Sequence, residues 1–475
     1  MHDIIIIGAG AVGCAIAREA SKYKLKVMVV DKENDVCNVT SMANSAIVHS
    51  GYDPKPGTKK AFHNVRGNKM YEKLCKELDV EFKMIGSLTC ATNEEEKEVI
   101  ENYLSRSAEN GVEVKLLNKE ETKALEPFVS DNVIASLYAP TAGIVNPFEL
   151  TVALMENAMD NGVELKLNEE VKDIKKEKAG YVVVTNNGEY KAKVVVNSAG
   201  LYSDKISKML GINTYEIKPR KGEYYVLDHF KQPFVSHVIF PTPTAKGKGI
   251  LVTPTTHGNY LVGPSSEFVD DKDDFSTDKM TLDDVRAKST TLVDNIPFQY
   301  MIRQFSGLRA TGSTGDFIIE DHDGFVVLGG IESPGLASAP SIALEVLEHV
   351  GNNIKLEKKD NFVSQRRRVL KLSKMSEEEK NELIKKDPRF GRIVCRCEAI
   401  SEGEVVDIIT RNAGATSIKG VKKRCRPGFG KCQGGFCEPL ILQILARELN
   451  KDPMEIKYDS SDAYILQEET KGGSK

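Results

Sequence analysis

The sequence predicts a chain of mixed α/β and α+β class: a nucleotide-binding unit on a parallel sheet, a β-rich unit, and a small separate module near the C-terminus. Three observations predict it. The apolar run 4–7 enters Gly8-Ala9-Gly10-Ala11-Val12-Gly13, continues as a helical stretch to about Lys22, and is followed by the apolar run 27–30, which ends at Asp31. A second apolar run, 325–328, meets paired glycines at Gly329 and Gly330, where Pro334-Gly335 opens another helical stretch to about 350. Five of the nine cysteines lie between 395 and 437.

The first segment is read as strand, turn, helix and strand. Four consecutive isoleucines suit a strand buried on both faces. Gly8 permits the tight turn, Gly10 the close approach of backbone to a pyrophosphate, and Gly13 the close packing of helix on strand. The helix then points its free N–H groups and positive dipole end at the phosphates. Asp31, 18 residues beyond Gly13, is placed to accept hydrogen bonds from adenosine ribose hydroxyls.

This fingerprint does not choose between NAD and FAD. The second glycine segment, with Gly330, Gly335, Leu336 and Ala337 as candidate contacts, favours a flavin. A helix N-terminus there stabilises the negative charge that builds on the pyrimidine side of a reduced isoalloxazine. Between the two lies Val194-Val195-Val196-Asn197-Ser198-Ala199-Gly200, a buried strand whose small residues Ala199 and Gly200 end against a nucleotide.

These three segments, in this order, resemble the D-amino-acid-oxidase-type superfamily of FAD-dependent oxidoreductases. Thr40-Ser41-Met42-Ala43-Asn44-Ser45, with Val48-His49-Ser50-Gly51-Tyr52 and Gly57-Thr58-Lys59-Lys60-Ala61, resembles the branch that holds FAD-linked glycerol-3-phosphate dehydrogenases and L-2-hydroxyglutarate dehydrogenases. The resemblance covers residues 1–355 and implies bound FAD, with Ser41, Asn44 and Ser45 beside it. It also implies a discontinuous, Rossmann-type FAD domain (about 1–85, 145–215 and 325–355) interleaved with a β-rich substrate domain (about 86–144 and 216–324). Two hairpins are legible within these segments. Residues 181–185 and 190–196 flank Asn186-Asn187-Gly188, and residues 249–253 and 260–263 flank His257-Gly258-Asn259. Residues 356–390 are highly charged and read as a solvated linker wrapping the surface, with a helix starting at Met375-Ser376-Glu377.

The cysteine window reads Cys395-x-Cys397, then 34 residues, then Cys432-x4-Cys437. Four thiolates from two short loops can close a tetrahedral site at each of two irons, and neighbouring glycines let backbone N–H groups reach the sulfur. A structural zinc site is the alternative, although zinc knuckles favour wider Cys-x2–4-Cys spacing. The stretch resembles the bacterioferritin-associated-ferredoxin-like domain, which implies a 2Fe-2S cluster on Cys395, Cys397, Cys432 and Cys437 within residues 391–445, followed by a tail, 446–475. Cys425 reads as a non-ligand, with substitution for Cys432 as the alternative. Cys14, Cys37, Cys75 and Cys90 read as packing residues.

The chemistry follows from these parts. Lys and Arg number 65 against 69 Asp and Glu, a net charge of −4, which excludes a dedicated nucleic-acid binder. No apolar run approaches the length of a membrane-spanning helix, and Asp3 stands where a signal peptide needs positive charge. The expected setting is the cytoplasm, with peripheral membrane association only through a partner. His49 is a candidate base for a substrate hydroxyl, since neutral imidazole accepts a proton near pH 7. Phe305-Ser306-Gly307-Leu308-Arg309-Ala310 resembles the family's Gly-x-Arg-Pro/Ala motif, which implies that Arg309 contacts an anionic substrate. Arg220 and Tyr225 are weaker candidates to face the site, and Lys60 reads as a surface lysine, with added charge for the same pocket as the alternative. Fusion of the two parts is similar to the large subunits of anaerobic glycerol-3-phosphate dehydrogenases. That implies oxidation of sn-glycerol 3-phosphate to dihydroxyacetone phosphate, with electrons leaving through the cluster to further electron-transfer subunits of a hetero-oligomer. L-2-hydroxyglutarate or another 2-hydroxy or amino acid is the alternative substrate. A non-catalytic relay subunit is the alternative role.

Overall fold

The computed structural model describes residues 1–230, 234–243, 249–460 and 462–468. Two sheets organise it. The first has eight strands and starts with β1 (His2–Ile7), which leads through α1 (Ala11–Ala20) to the parallel β2 (Val27–Val30). The isoleucine run is apolar throughout because both faces of β1 are covered. Ile4 and Ile6 pack on one side, toward the helices, and Ile5 and Ile7 on the other. On the far side of β1 the strand Glu189–Asn197 runs parallel, with Ile5 opposite Val195. Its first half pairs antiparallel with Gly180–Thr185, the hairpin expected at Asn187-Gly188. Its second half pairs parallel with Phe325–Gly329.

The strand Ile318–Asp321 folds back onto Phe325–Gly329, so the chain's last segment in the first sheet starts at 318 and not at the expected 325. The reason is local. Asp323 (φ 57) and Gly324 (φ 89) both sit in the left-handed region that a tight hairpin requires. Over this sheet α1 packs against the helix Gly335–Asn353, and so does α2 (Lys59–Leu78). Gly67 of α2 has no Cβ because one would overlap the Ala337 carbonyl oxygen of that helix.

The second sheet has nine described strands. Ile217–Leu227 and Met301–Gly312 pair antiparallel along their length, which sets Arg220 directly opposite Arg309. The expected hairpin is present as Leu251–Pro254 and Tyr260–Gly263. Ser87–Ala91 lies parallel to Val238–Pro241, joining two distant stretches of chain. The underside is closed by Leu88, Tyr225, Val252, Val262 and Val285.

The C-terminal module consists of the paired strands Ile393–Cys395 and Ile400–Ser401 and the helices Glu402–Thr410, Ile418–Cys425 and Glu438–Leu449. They enclose their own core around Val405, Val421 and Leu445, to which Ile456 of the following segment adds. Residues 469–475 of the expected tail lie outside the described residues.

Two buried charge triads fasten the module to the first sheet's unit. Asp35 bonds Arg424 at 2.7 Å and Lys423 at 2.9 Å. Glu156 bonds Arg366 at 2.5 Å and Arg411 at 2.8 Å. Arg366 belongs to the stretch 356–390, so the expectation of a solvated linker fails there: its side chain is 6% exposed. That segment works as a strap, because Arg411 also donates to the carbonyls of Arg367 and Arg368. The helix Glu377–Lys386 does form where expected, capped by Ser376, with no buried residue. Among the described residues no helix is long and apolar enough to cross a membrane.

Candidate functional site

At the C-terminal ends of the first sheet's strands a cavity of about 320 Å³ is lined by Gly8, Gly10, Gly13, Asp31, Ala199 and Gly200. α1 opens onto it at Gly10 without a side-chain cap, which leaves amide donors for an anion. A Cβ at Gly13 would overlap the Gly8 carbonyl oxygen, and one at Gly10 would come within 2.9 Å of Ser41 Oγ. Ser41 Oγ accepts the Ala11 N–H at 2.9 Å and fixes the loop over the helix start. Asp31 Oδ2 accepts from the Ala9 N–H at 2.6 Å and Oδ1 from the Glu33 N–H at 2.9 Å. Each oxygen keeps a lone pair for a ribose hydroxyl. Burial raises the Asp31 pKa.

A second cavity, about 350 Å³, shares Ala11, Val12, Thr40, Ser41 and Ile331 with the first, so the two run into one another. Asn44, Ser45, His49, Arg309, Gly335 and Leu336 line it. The helix Gly335–Asn353 presents its N-terminus here, again without a side-chain cap. Gly330 and Ala337 lie behind the wall, Gly330 backed by Gly312 and Ala337 by Gly67. Asn44 shapes its own loop: Oδ1 accepts from the Ala46 N–H and Nδ2 donates to the Ser41 carbonyl, both at 2.9 Å.

His49 is held at both ends. Its carbonyl oxygen accepts from Asn64 Nδ2 at 2.6 Å and Asn68 Nδ2 at 3.1 Å. Its ring stacks on Phe240 at 5.7 Å, with Nε2 3.4 Å from Ser333 Oγ. Arg309 donates to the Ser265 carbonyl at 3.1 Å and, among the described residues, forms no ion pair. Burial pulls its pKa below the ordinary value, yet a guanidinium stays charged at any working pH. Its cross-strand neighbour Arg220 bonds Glu332 at 2.9 Å, and Lys60 bonds the other Glu332 oxygen at 3.1 Å. Lys60 is therefore an anchored wall residue, which favours the pocket alternative over the surface lysine. Tyr225 points into the core beneath the sheet; Tyr224 lines the cavity instead, stacked on Phe305 at 4.6 Å and bonded to Ser45 Oγ at 2.9 Å. Strand alternation could have found Tyr224, since residues 220, 222 and 224 share a face. Nothing in the local sequence announces Glu332 as the partner of two cations.

In the C-terminal module the four cysteines form two pairs. Cys397 Sγ lies 3.9 Å from Cys432 Sγ, and the neighbouring side chains of Cys395 and Cys437 act on each other, which lowers the pKa of Cys395 and raises that of Cys437, while the Cys437 thiol donates to the Gly434 carbonyl at 3.9 Å. Backbone N–H groups of Gly428 and Glu398 face Cys395, and those of Gly434 and Phe436 face Cys432. Among the described residues no three His, Cys, Asp or Glu side chains converge on one point. Two pairs of thiols suit two irons with two protein sulfurs each better than one tetrahedral zinc. Cys425 is buried in the module's core, its thiol donating to the Val421 carbonyl at 3.6 Å.

A family model for FAD dependent oxidoreductases, DAO, matches residues 3–348. The chain belongs to that family. A second model, for the BFD-like 2Fe-2S binding domain, matches residues 393–447. A glycerol 3-phosphate dehydrogenase of Caloramator mitchellensis is 49% identical over 476 residues, 99% of either chain. The solved structure of the L-alpha-glycerophosphate oxidase of Mycoplasma pneumoniae, with FAD bound, superposes with a TM-score of 0.74 at 33% identity, covering 77% of this chain and 98% of that one. An L-2-hydroxyglutarate dehydrogenase of Escherichia coli is 31% identical over 56% of this chain and 64% of its own length.

This FAD-dependent oxidoreductase thus carries a flavin unit and a 2Fe-2S domain in one chain. The continuous pair of cavities, with an uncapped helix N-terminus on each, fits an extended dinucleotide.

Proposed function

We propose that this chain oxidises sn-glycerol 3-phosphate to dihydroxyacetone phosphate and passes the electrons through its C-terminal domain to a separate acceptor protein. Arg309 carries the reading. Of the three cations on the cavity wall, Arg220 and Lys60 are bonded to Glu332, which leaves Arg309 for a ligand. Arg309, Arg220 and Lys60 against Glu332 and Asp53 leave one positive charge in excess, which favours an anion. A guanidinium bonds a phosphoryl group through two parallel N–H donors. Similarity to an enzyme named for glycerol 3-phosphate spans 99% of the chain, against 56% for the 2-hydroxyglutarate enzyme, and this supports the phosphate over the dicarboxylate.

The bound flavin supplies the hydride acceptor. Arg309 holds the phosphate at one end of the cavity and so turns the carbinol toward His49. His49 Nε2 takes the hydroxyl proton, with the ring kept in place by Phe240 and by the two asparagines on its carbonyl. The N-terminus of the helix Gly335–Asn353 favours negative charge beside it. Gly8, Gly10, Gly13, Asp31, Ser41, Ala199 and Gly200 would hold the adenosine diphosphate half of FAD, and Asn44, Ser45, Gly335 and Leu336 the flavin half. Cys395, Cys397, Cys432 and Cys437 would hold the two-iron cluster, whose contribution is one-electron chemistry. Cys397 is exposed and Phe436, beside Cys437, is 84% exposed, so an acceptor subunit docks there in a hetero-oligomer. We place the work in the cytoplasm, where thiols stay reduced.

Anaerobic mixing tests the substrate. Glycerol 3-phosphate bleaches the flavin absorbance of the purified protein rapidly, and L-2-hydroxyglutarate does not. Bleaching by the second compound alone reassigns the substrate, and no bleaching by either defeats the reading.

A further inference from the structure

A third cavity, about 700 Å³, lies between the flavin unit and the 2Fe-2S domain. Ala43, Asn44 and Ala46 line both this cavity and the one that holds His49 and Arg309. Gln433, next in sequence to Cys432, is also on its wall. Much of the remaining wall is aromatic, with Phe148, Phe275, Phe429 and Tyr458, and the rings of Phe148 and Phe429 stack at 5.8 Å.

Most charged side chains on this wall are committed to partners. Lys423 bonds Asp35, Arg426 bonds Glu398, Lys419 bonds Asp459, and Asp273 accepts from Tyr202. Lys422 differs. It is 6% exposed, and its Nζ has no hydrogen-bond partner among the described residues; the Phe429 ring lies 4.8 Å away, and the charges of Glu438 and Arg303 act on it from nearby without bonding it. A buried ammonium without an acceptor is costly, and an anion brought to it forms a charge-assisted bond. Flat aromatic walls select a flat ring.

We propose that this cavity binds a planar aromatic anion, its acidic group on Lys422 Nζ and its ring among Phe148, Phe275 and Phe429. The position between the two cofactor-holding parts makes quinone acids the class to test, and anthraquinone-2-sulfonate is the probe. Calorimetric titration of the oxidised holoprotein without substrate reads binding independently of what the enzyme oxidises. The expected result is one saturable site per chain, weakened about tenfold or more in Lys422→Met and largely kept in Lys422→Arg. FAD and iron contents stay at the wild-type level in both. Uncharged 2-methylanthraquinone binds the wild type about as weakly as the sulfonate binds Lys422→Met. The proposal is overturned by the absence of saturable binding, by undiminished binding to Lys422→Met, or by loss of iron from that variant, which would assign the lysine to the cluster.

Discussion

In the proposed reaction Arg309 binds and His49 takes the proton, so their replacement should separate binding from chemistry. Removing the guanidinium deletes hydrogen bonds to a charged group, worth about 1.5–3 kcal/mol. Arg309→Met is therefore expected to lower kcat/KM for glycerol 3-phosphate by about 10- to 150-fold, chiefly through KM, with FAD content unchanged. Arg309→Lys keeps the charge but not the two-pronged donor and falls between. His49→Ala is expected to lower kcat by about 100- to 10,000-fold, while KM and FAD content hold. Steady-state kinetics on the two variants checks both, and equal effects on kcat and KM in each would contradict the division. That both line one cavity was legible because their motifs are local. Tyr224, Glu332 and the anchored Lys60 were not: Glu332 meets Arg220 and Lys60 only after chain segments more than 100 residues apart come together.

Among the elements, the start of the chain was the easiest to read, since strand, glycines, helix and strand follow one another and each residue's reason lies within a few positions. The hairpin at Asn187-Gly188 was legible for the same cause. The parallel pairing of Ser87–Ala91 with Val238–Pro241 was not, because no turn links the two strands and only the finished sheet sets their register. The contact of α2 with the helix Gly335–Asn353 carries a test. A methyl at Gly67 would overlap the Ala337 carbonyl, so Gly67→Ala must push apart two helices, one of which ends on the flavin cavity. Overpacking of this kind costs about 1–3 kcal/mol, and the variant is expected to purify with a lower ratio of flavin to protein. An unchanged ratio and melting temperature would show that the contact yields freely.

On the scale of the whole molecule the two charge triads decide how the redox module is carried. Burial alone would raise the pKa of Asp35, but the Arg424 and Lys423 charges beside it hold its carboxyl down to about 2. Glu149, buried but bonded to His257 and Lys371, is likewise held down to about 2. Both folded values lie below the unfolded ones, so the stability they confer is complete above about pH 4.5 and is lost as the pH falls toward 2. Thermal melting should fall steeply across that window. Asp35→Asn strands two buried cations and is expected to cost about 3–5 kcal/mol at neutral pH, with a flatter acid limb. The sequence showed the charges of 356–390 and 419–426 but not that Arg366, Lys423 and Arg424 are buried, because their partners Glu156 and Asp35 lie hundreds of residues away. Cys397→Ser should lower bound iron and sulfide while leaving the FAD content intact, as the two cofactor sites share no side chain.

The central claim is that electrons taken from a small phosphorylated alcohol in one part of this chain reach the two-iron site in another. Electron paramagnetic resonance of the anaerobic holoprotein after addition of glycerol 3-phosphate alone tests it most directly. The expected result is flavin bleaching together with the signal of a reduced 2Fe-2S cluster, the signal vanishing in Cys397→Ser and both effects fading in Arg309→Met. Bleached flavin with a cluster that stays oxidised in the wild type would contradict it.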